Sequence, residues 1–149
     1  MKCDGLEVIF AWYGYQDAIF RFDLRLVPAS RVEAAPVIRR GCMIATSDLR
    51  RLGAYLFEHI GPDWPSDLAE SYPFLTSDLD FEVTAREGAH SGWRDGSFAI
   101  RWMIFARVPG VDGGDAVRAG FEATVTVAEA RRFADHATAL ANDVPRGES

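Results

Sequence analysis

Lysine is almost missing from this chain: it occurs once, at Lys2, against fifteen arginines, a bias that implies no chemistry by itself. Cysteine is nearly as scarce. Cys3 and Cys42 stand alone in no paired spacing, which excludes a disulfide framework and a cysteine-rich zinc site and makes a reducing, cytoplasmic setting the expectation. No uninterrupted run of 18 apolar residues exists, so no membrane-spanning helix is expected, and the start Met1-Lys2-Cys3-Asp4-Gly5 lacks the apolar stretch of a secretory signal. Basic charge is in deficit, 16 Lys and Arg against 22 Asp and Glu for a net charge of -6. Without a clustered basic stripe to meet phosphates, nucleic acid is not an expected partner.

What is present is enough for a core. With 149 residues, 48% of them hydrophobic and 12% aromatic, the chain is long enough to bury about two thirds of its extended surface. A single domain over 1–149 is expected, and disorder and a coiled coil are excluded as the main state. Residues 6–12 and 18–27 read as strands, the second alternating Phe20, Phe22, Leu24 and Leu26 against Arg21, Asp23 and Arg25. A third follows over 37–45. After Thr46 the period changes: Leu49, Leu52, Leu56 and Ile60 recur at spacings of three and four, along one stripe of a helix capped by Ser47 and stopped at Gly61-Pro62.

The order then repeats. Strands are expected over 79–85, 97–108 and 117–127, and a helix over 128–140 opened by the capping-box spacing Thr126-x-x-Glu129. Two echoes share an offset of 81: Arg25-Leu26-Val27-Pro28 with Ala106-Arg107-Val108-Pro109, and Asp48-Leu49-Arg50-Arg51-Leu52 with Glu129-Ala130-Arg131-Arg132-Phe133. The pattern predicts an α+β fold built from a duplicated β-β-β-α unit, six mainly antiparallel strands with two covering helices. The pseudo-repeats span 5–61 and 78–141 and the linker 62–77. Neither half covers its apolar face alone, so both should close over one interior.

No catalytic, cofactor or metal constellation is expected. His59, His90 and His136 are dispersed, with no paired ligand spacing, and His59 and His136 lie beside the apolar stripes of their helices. The segment 111–115 has the composition of a calcium loop without its spacing and reads as a hairpin turn. Asp78, Asp80 and Glu82 alternate with Leu79, Phe81 and Val83, which predicts a solvated carboxylate face.

The acidity, however, is concentrated. Residues 57–85 carry Glu58, Asp63, Asp67, Glu70, Asp78, Asp80 and Glu82 with no Lys or Arg, a local charge of -7 that leaves +1 for the rest. Trp64, Tyr72 and Phe74 sit in this block among prolines 62, 65 and 73, offering rigid aromatic surface beside an acidic rim. Tyr13 and Tyr15 in the first connection and Trp93 in the second unit are further exposed-aromatic candidates. The candidate partner-binding set is therefore Asp63, Trp64, Asp67, Glu70, Tyr72, Tyr13, Tyr15 and Trp93.

The opening Leu6-Glu7-Val8 strand, the Tyr/Asp-containing connection, the strand Phe20 to Val27, the helix start Asp48-Leu49-Arg50-Arg51-Leu52, and then Phe74-Leu75 and Leu79-Asp80-Phe81-Glu82-Val83 together resemble the small bacterial immunity proteins of the WapI group. That resemblance implies a protein that neutralises a cognate toxin by binding it. The expected function is non-catalytic protein binding, with a basic toxin as the candidate partner. Two alternatives stay open: a small enzyme or ligand binder using Asp80, Glu82 or His90 in a cleft between the halves, and a structural subunit that self-associates as a homodimer.

Overall fold

The structure is a computed structural model and describes residues 1–29, 34–60, 72–78, 80–91, 95–106 and 117–143. The elements run β1 (Lys2–Cys3), β2 (Leu6–Gln16), β3 (Ile19–Pro28), β4 (Val37–Ala45), α1 (Thr46–Ile60), β5 (Phe74–Leu75), β6 (Phe81–Ser91), β7 (Asp95–Ala106), β8 (Val117–Thr126) and α2 (Val127–Asn142). They form two four-stranded antiparallel sheets, ordered β1-β2-β3-β4 and β5-β6-β7-β8, each followed by its helix. The expected six strands in three-stranded units are corrected to eight in four-stranded sheets. The two strands not anticipated, β1 and β5, are two residues long. Such pieces are too short to show a period of two, and only their pairing with β2 and β6 defines them.

Alternation writes the sheet faces. Phe22, Leu24 and Leu26 on β3 are fully buried while, on the alternate positions, Arg21 and Arg25 are exposed and Asp23 is half-buried. The second sheet turns Phe81, Val83, Phe98, Ile100, Trp102 and Ile104 into the same core cluster, and the helices add Leu49, Leu52, Leu56 and Ile60 from α1 and an alanine stripe from α2. Phe10 is the meeting point. Its ring lies 5.2 Å from Phe22 in its own sheet, 5.8 Å from Phe81 and 5.9 Å from Trp102 in the other, and 5.6 Å from Phe133 on α2. Of these rings Phe22, Phe81 and Trp102 are fully buried, and each contributes roughly 1.5–3 kcal/mol by removing its surface from water.

Local chemistry fixes the joints. The β2–β3 hairpin turns on Asp17 and Ala18, both at positive φ (52° and 62°), the arrangement a two-residue turn requires, although Ala18 is a poor residue for it. The Ala18 carbonyl is held by two donors from the start of α1, the Thr46 amide and hydroxyl, each at 2.9 Å, so the turn seats the helix. Gly14, expected in this connection, lies within β2 beside a register shift, so the strand runs on to Gln16. Ser47, expected at the cap, lies inside α1. Thr126 caps α2 as its sequence suggests, the Glu129 amide donating to Thr126 Oγ1 at 3.2 Å, while the Glu129 carboxylate pairs with Arg132. Where the helices cross, a Cβ on Gly53 would stand 2.5 Å from Thr138 Oγ1 and 3.1 Å from the Ala134 carbonyl, which is why the small residues face one another there.

The sheets are joined at both ends. At one junction the Asp4 amide donates to the Thr124 carbonyl of β8 at 2.7 Å. At the other, Asp80 ties the start of β6 to β4, where Met43, like Thr124 on β8, stands three residues before the helix. The Asp80 amide donates to Thr76 Oγ1 (3.0 Å) and its carbonyl accepts from the Phe105 amide (3.1 Å), both within its own half. Its carboxylate reaches across, accepting from the Met43 amide (2.8 Å) and from Arg39 Nη2 (3.2 Å). The backbone groups of Asp80 thus anchor it in its own half, and its two carboxylate oxygens bind that half to β4.

The expected solvated carboxylate face is corrected by the same geometry. Asp78 is exposed, but Asp80 and Glu82 are only 5% and 7% exposed. Around residues 81–85 β6 is buried on both faces, with Phe81, Val83 and Ala85 on one and Glu82 and Thr84 on the other, so alternation there does not separate core from water. Glu82 accepts from Thr84 Oγ1 at 3.3 Å and lies 3.8 Å from Arg118 Nη1, whose guanidinium stacks 5.0 Å from the Phe105 ring centre.

Candidate functional site

An open groove of about 310 Å³ runs between α1 and the segment leading into β5, lined by Arg51, Ala54, Tyr55, Glu58, Tyr72, Pro73 and Phe74. Its helical wall follows from spacing. Arg51, Tyr55 and Glu58 stand at i, i+4 and i+7, so they share a face beside the leucine stripe that faces the core. Its opposite wall is set by pairing of Phe74 with Val83, which buries the Phe74 ring as a floor. Tyr72 stands two residues earlier on the rim, 94% exposed.

The charges of the groove are partly committed. Arg51 donates from Nη1 to Asp48 Oδ1 at 2.7 Å, and its guanidinium lies 5.4 Å above the Phe74 ring centre. Asp48 is buried in the first turn of α1, where a carboxylate is favoured by the positive end of the helix, and its second oxygen accepts from the Ser77 amide at 2.8 Å. The Tyr55 ring lies 5.9 Å from Phe74, and its hydroxyl accepts from the Ala85 amide at 2.8 Å. Arg51 is thus balanced by Asp48, whereas the exposed Glu58 has no ion pair among the described residues. The groove presents aromatic walls and one uncompensated negative charge.

Of the candidate partner-binding set Tyr72 lies on this groove, joined there by Glu58 and Phe74 of the same acidic, aromatic block. Tyr13 and Tyr15 are exposed by 60% and 40% on β2, away from it, and the Tyr15 ring packs 4.7 Å from Phe20. Asp63, Trp64, Asp67, Glu70 and Trp93 lie outside the described residues, as does the segment 111–115. Of the other two indoles, Trp102 is fully buried and Trp12 is half-buried against the core, stacked 5.4 Å from Phe10. His59 is buried with Nε2 3.1 Å from the Arg86 carbonyl and its ring 4.6 Å from Phe98, and His136 is exposed. The His90 side chain lies outside the description.

Glu58 was named in the acidic block, but Arg51 and Tyr55 were not singled out as site residues; their signal, polar or amphipathic side chains flanking the core stripe at helical spacing with Glu58, is masked by the leucine periodicity. Asp80 and Glu82 are buried carboxylates, but their partners are donors, the Arg39 and Arg118 guanidiniums, the Met43 amide and the Thr84 hydroxyl, and none of these is a base. Burial pushes the Cys3 thiol up to about 11, and burial first and then the nearby Asp80 carboxylate push Cys42 up to about 12, so neither thiol is an activated nucleophile. Among the described residues no three His, Cys, Asp or Glu side chains gather as a metal would require. No helix among them is long and apolar enough to cross a membrane. Comparison with known protein families, with curated proteins and with solved structures found no match to this chain.

Proposed function

We propose that this chain is a non-catalytic protein-binding module that docks a basic protein surface on the acidic, aromatic side formed by α1 and the segment entering β5. The observation that carries the reading is Tyr72, an aromatic side chain 94% exposed on a groove whose floor is Phe74 and whose Glu58 has no ion pair among the described residues. Exposed aromatic anchors beside one sign of charge suit association with a protein of opposite charge, the aromatics contributing contact area and the charges steering approach. Of the seven carboxylates in 57–85, Asp80 and Glu82 are occupied by arginines within the fold. The remaining five, Glu58, Asp63, Asp67, Glu70 and Asp78, supply the steering charge. Neutralisation of a basic toxin, the role implied by the WapI-like pattern, is the specific form of this proposal.

The test is a comparative capture. The full chain, a Tyr72→Ala variant and a variant with Asp63, Asp67 and Glu70 reversed to Lys are immobilised side by side, and bound proteins are identified by mass spectrometry. The reading expects a basic protein held by the parent and lost or strongly depleted by both variants. An identical bound set on all three would reject it.

A further inference from the structure

We infer that the groove between α1 and β5 is a seat for an arginine side chain of the partner, taken between Tyr72 and the Tyr55–Phe74 pair with its guanidinium toward Glu58. This inference rests on the reading of that groove as a docking surface and names the chemistry it selects. Three observations support it. First, the site already holds a guanidinium on its floor: Arg51 lies 5.4 Å above the Phe74 ring, so the aromatic surface there suits a flat cation. Second, that resident cation is spent. Its charge is met by Asp48, itself fixed by the Ser77 amide, so it neither fills the groove nor cancels Glu58. Third, the remaining lining among the described residues is Tyr55, Tyr72, Pro73 and Ala54, which suits the apolar stem and the faces of an arginine and offers no second cation. Charge complementarity therefore commits the occupant. A carboxylate would meet Glu58 unpaired, and a neutral apolar group would leave Glu58 uncompensated. Arginine is favoured over lysine because a planar guanidinium stacks on rings and is less strongly hydrated than an ammonium.

The inference is tested on the full chain by two-dimensional amide NMR, titrating a capped tri-arginine peptide, its tri-citrulline counterpart, which has nearly the same shape without the charge, and a tri-lysine peptide. The expected result is saturable shifts confined to the amides around residues 51–58 and 72–75 for tri-arginine, several-fold weaker ones for tri-lysine, and none for tri-citrulline. Tyr72→Ala and Glu58→Gln should each weaken tri-arginine binding by about threefold, the size of one exposed ring–cation or ion-pair contact. Both side chains are exposed, so neither change should alter the fold, which circular dichroism verifies. Equal binding of citrulline and arginine, equal binding of lysine and arginine, absence of shifts with tri-arginine, or shifts at these amides on raising protein concentration alone would each overturn the inference, the last by showing a second copy as the occupant. Salt-dependent capture of a basic protein without any arginine preference would sink this seat while leaving the wider reading standing. Loss of capture itself would sink the wider reading.

Discussion

Replacing Asp80 by Asn keeps the shape of the side chain and removes its charge at the point where the two sheets meet. The backbone bonds of Asp80 to Thr76 and Phe105 do not involve the carboxylate and persist. The amide oxygen can still accept from the Met43 amide. Its NH₂ then faces Arg39 Nη2, a donor against a donor where a 3.2 Å ion pair stood. A hydrogen bond to a charged group contributes about 1.5–3 kcal/mol, and breaking a buried pair from one side costs about 3–5 kcal/mol. The Arg39 side chain is 31% exposed, so water takes up part of the loss, and a destabilisation of about 2–3 kcal/mol is expected. At roughly 3 °C per kcal/mol for a chain of this size, the melting temperature should fall by about 6–9 °C. Urea unfolding followed by tryptophan fluorescence measures this directly, with an unchanged slope marking a change in stability alone. A double-mutant cycle with Arg39→Leu should return a coupling of about 1–2 kcal/mol. A change below about 0.5 kcal/mol for Asp80→Asn would refute the assignment of this residue as the link between the sheets.

Gly120→Ala should be among the most damaging substitutions in the chain, at about 3 kcal/mol or more, because its new Cβ would stand 1.8 Å from the Trp102 carbonyl, a backbone atom that cannot swing away. Thermal denaturation or loss of soluble expression reports it. Ala18→Gly should stabilise by about 0.5 kcal/mol, since relief of a left-handed alanine outweighs the added freedom of glycine in the unfolded chain; a fall in the urea midpoint would contradict the turn geometry. The thiols give a pH signature. Cys3 and Cys42 stay protonated in the folded state up to about 11 and about 12, while in the unfolded chain they ionise near their ordinary 9.0. Their contribution is therefore fully present below pH 9 and is lost as pH rises toward the folded values, by about 1.4 kcal/mol per pH unit for each thiol. Cys42→Ala should remove about half of that thiol slope between pH 9 and 11 in urea midpoints, the tyrosines contributing equally to both proteins. An unchanged slope would show that Cys42 is not shielded as described.

The strong periods were legible in the sequence because packing and pattern agree in them: the Phe20 to Leu26 alternation, the Leu49 to Ile60 stripe and the Thr126–Glu129 cap all form. Residues whose role is set by distant partners were not. Asp80 and Glu82 look like a solvated row, and only Arg39, forty-one positions back, and Arg118 turn them into buried links. β1 and β5 were missed because a two-residue strand exists only through its neighbour. On the candidate site, Tyr72 was visible as an aromatic among prolines and acids. Glu58 was visible as a member of the acidic block, but its companions Arg51 and Tyr55 were hidden beside a helix stripe whose leucines explain the periodicity without them.

The most direct test of the functional account is the association rate of the captured basic protein with this chain, measured by stopped flow over a range of ionic strength. Steering by unpaired carboxylates predicts a rate that falls steeply as salt rises from about 0.01 to 0.15 M, where the screening length shrinks from about 30 to 8 Å, and a much shallower fall when Glu58 and Asp78 are changed to Gln and Asn. A rate indifferent to salt, or a dependence unaltered by removing those two charges, would contradict it.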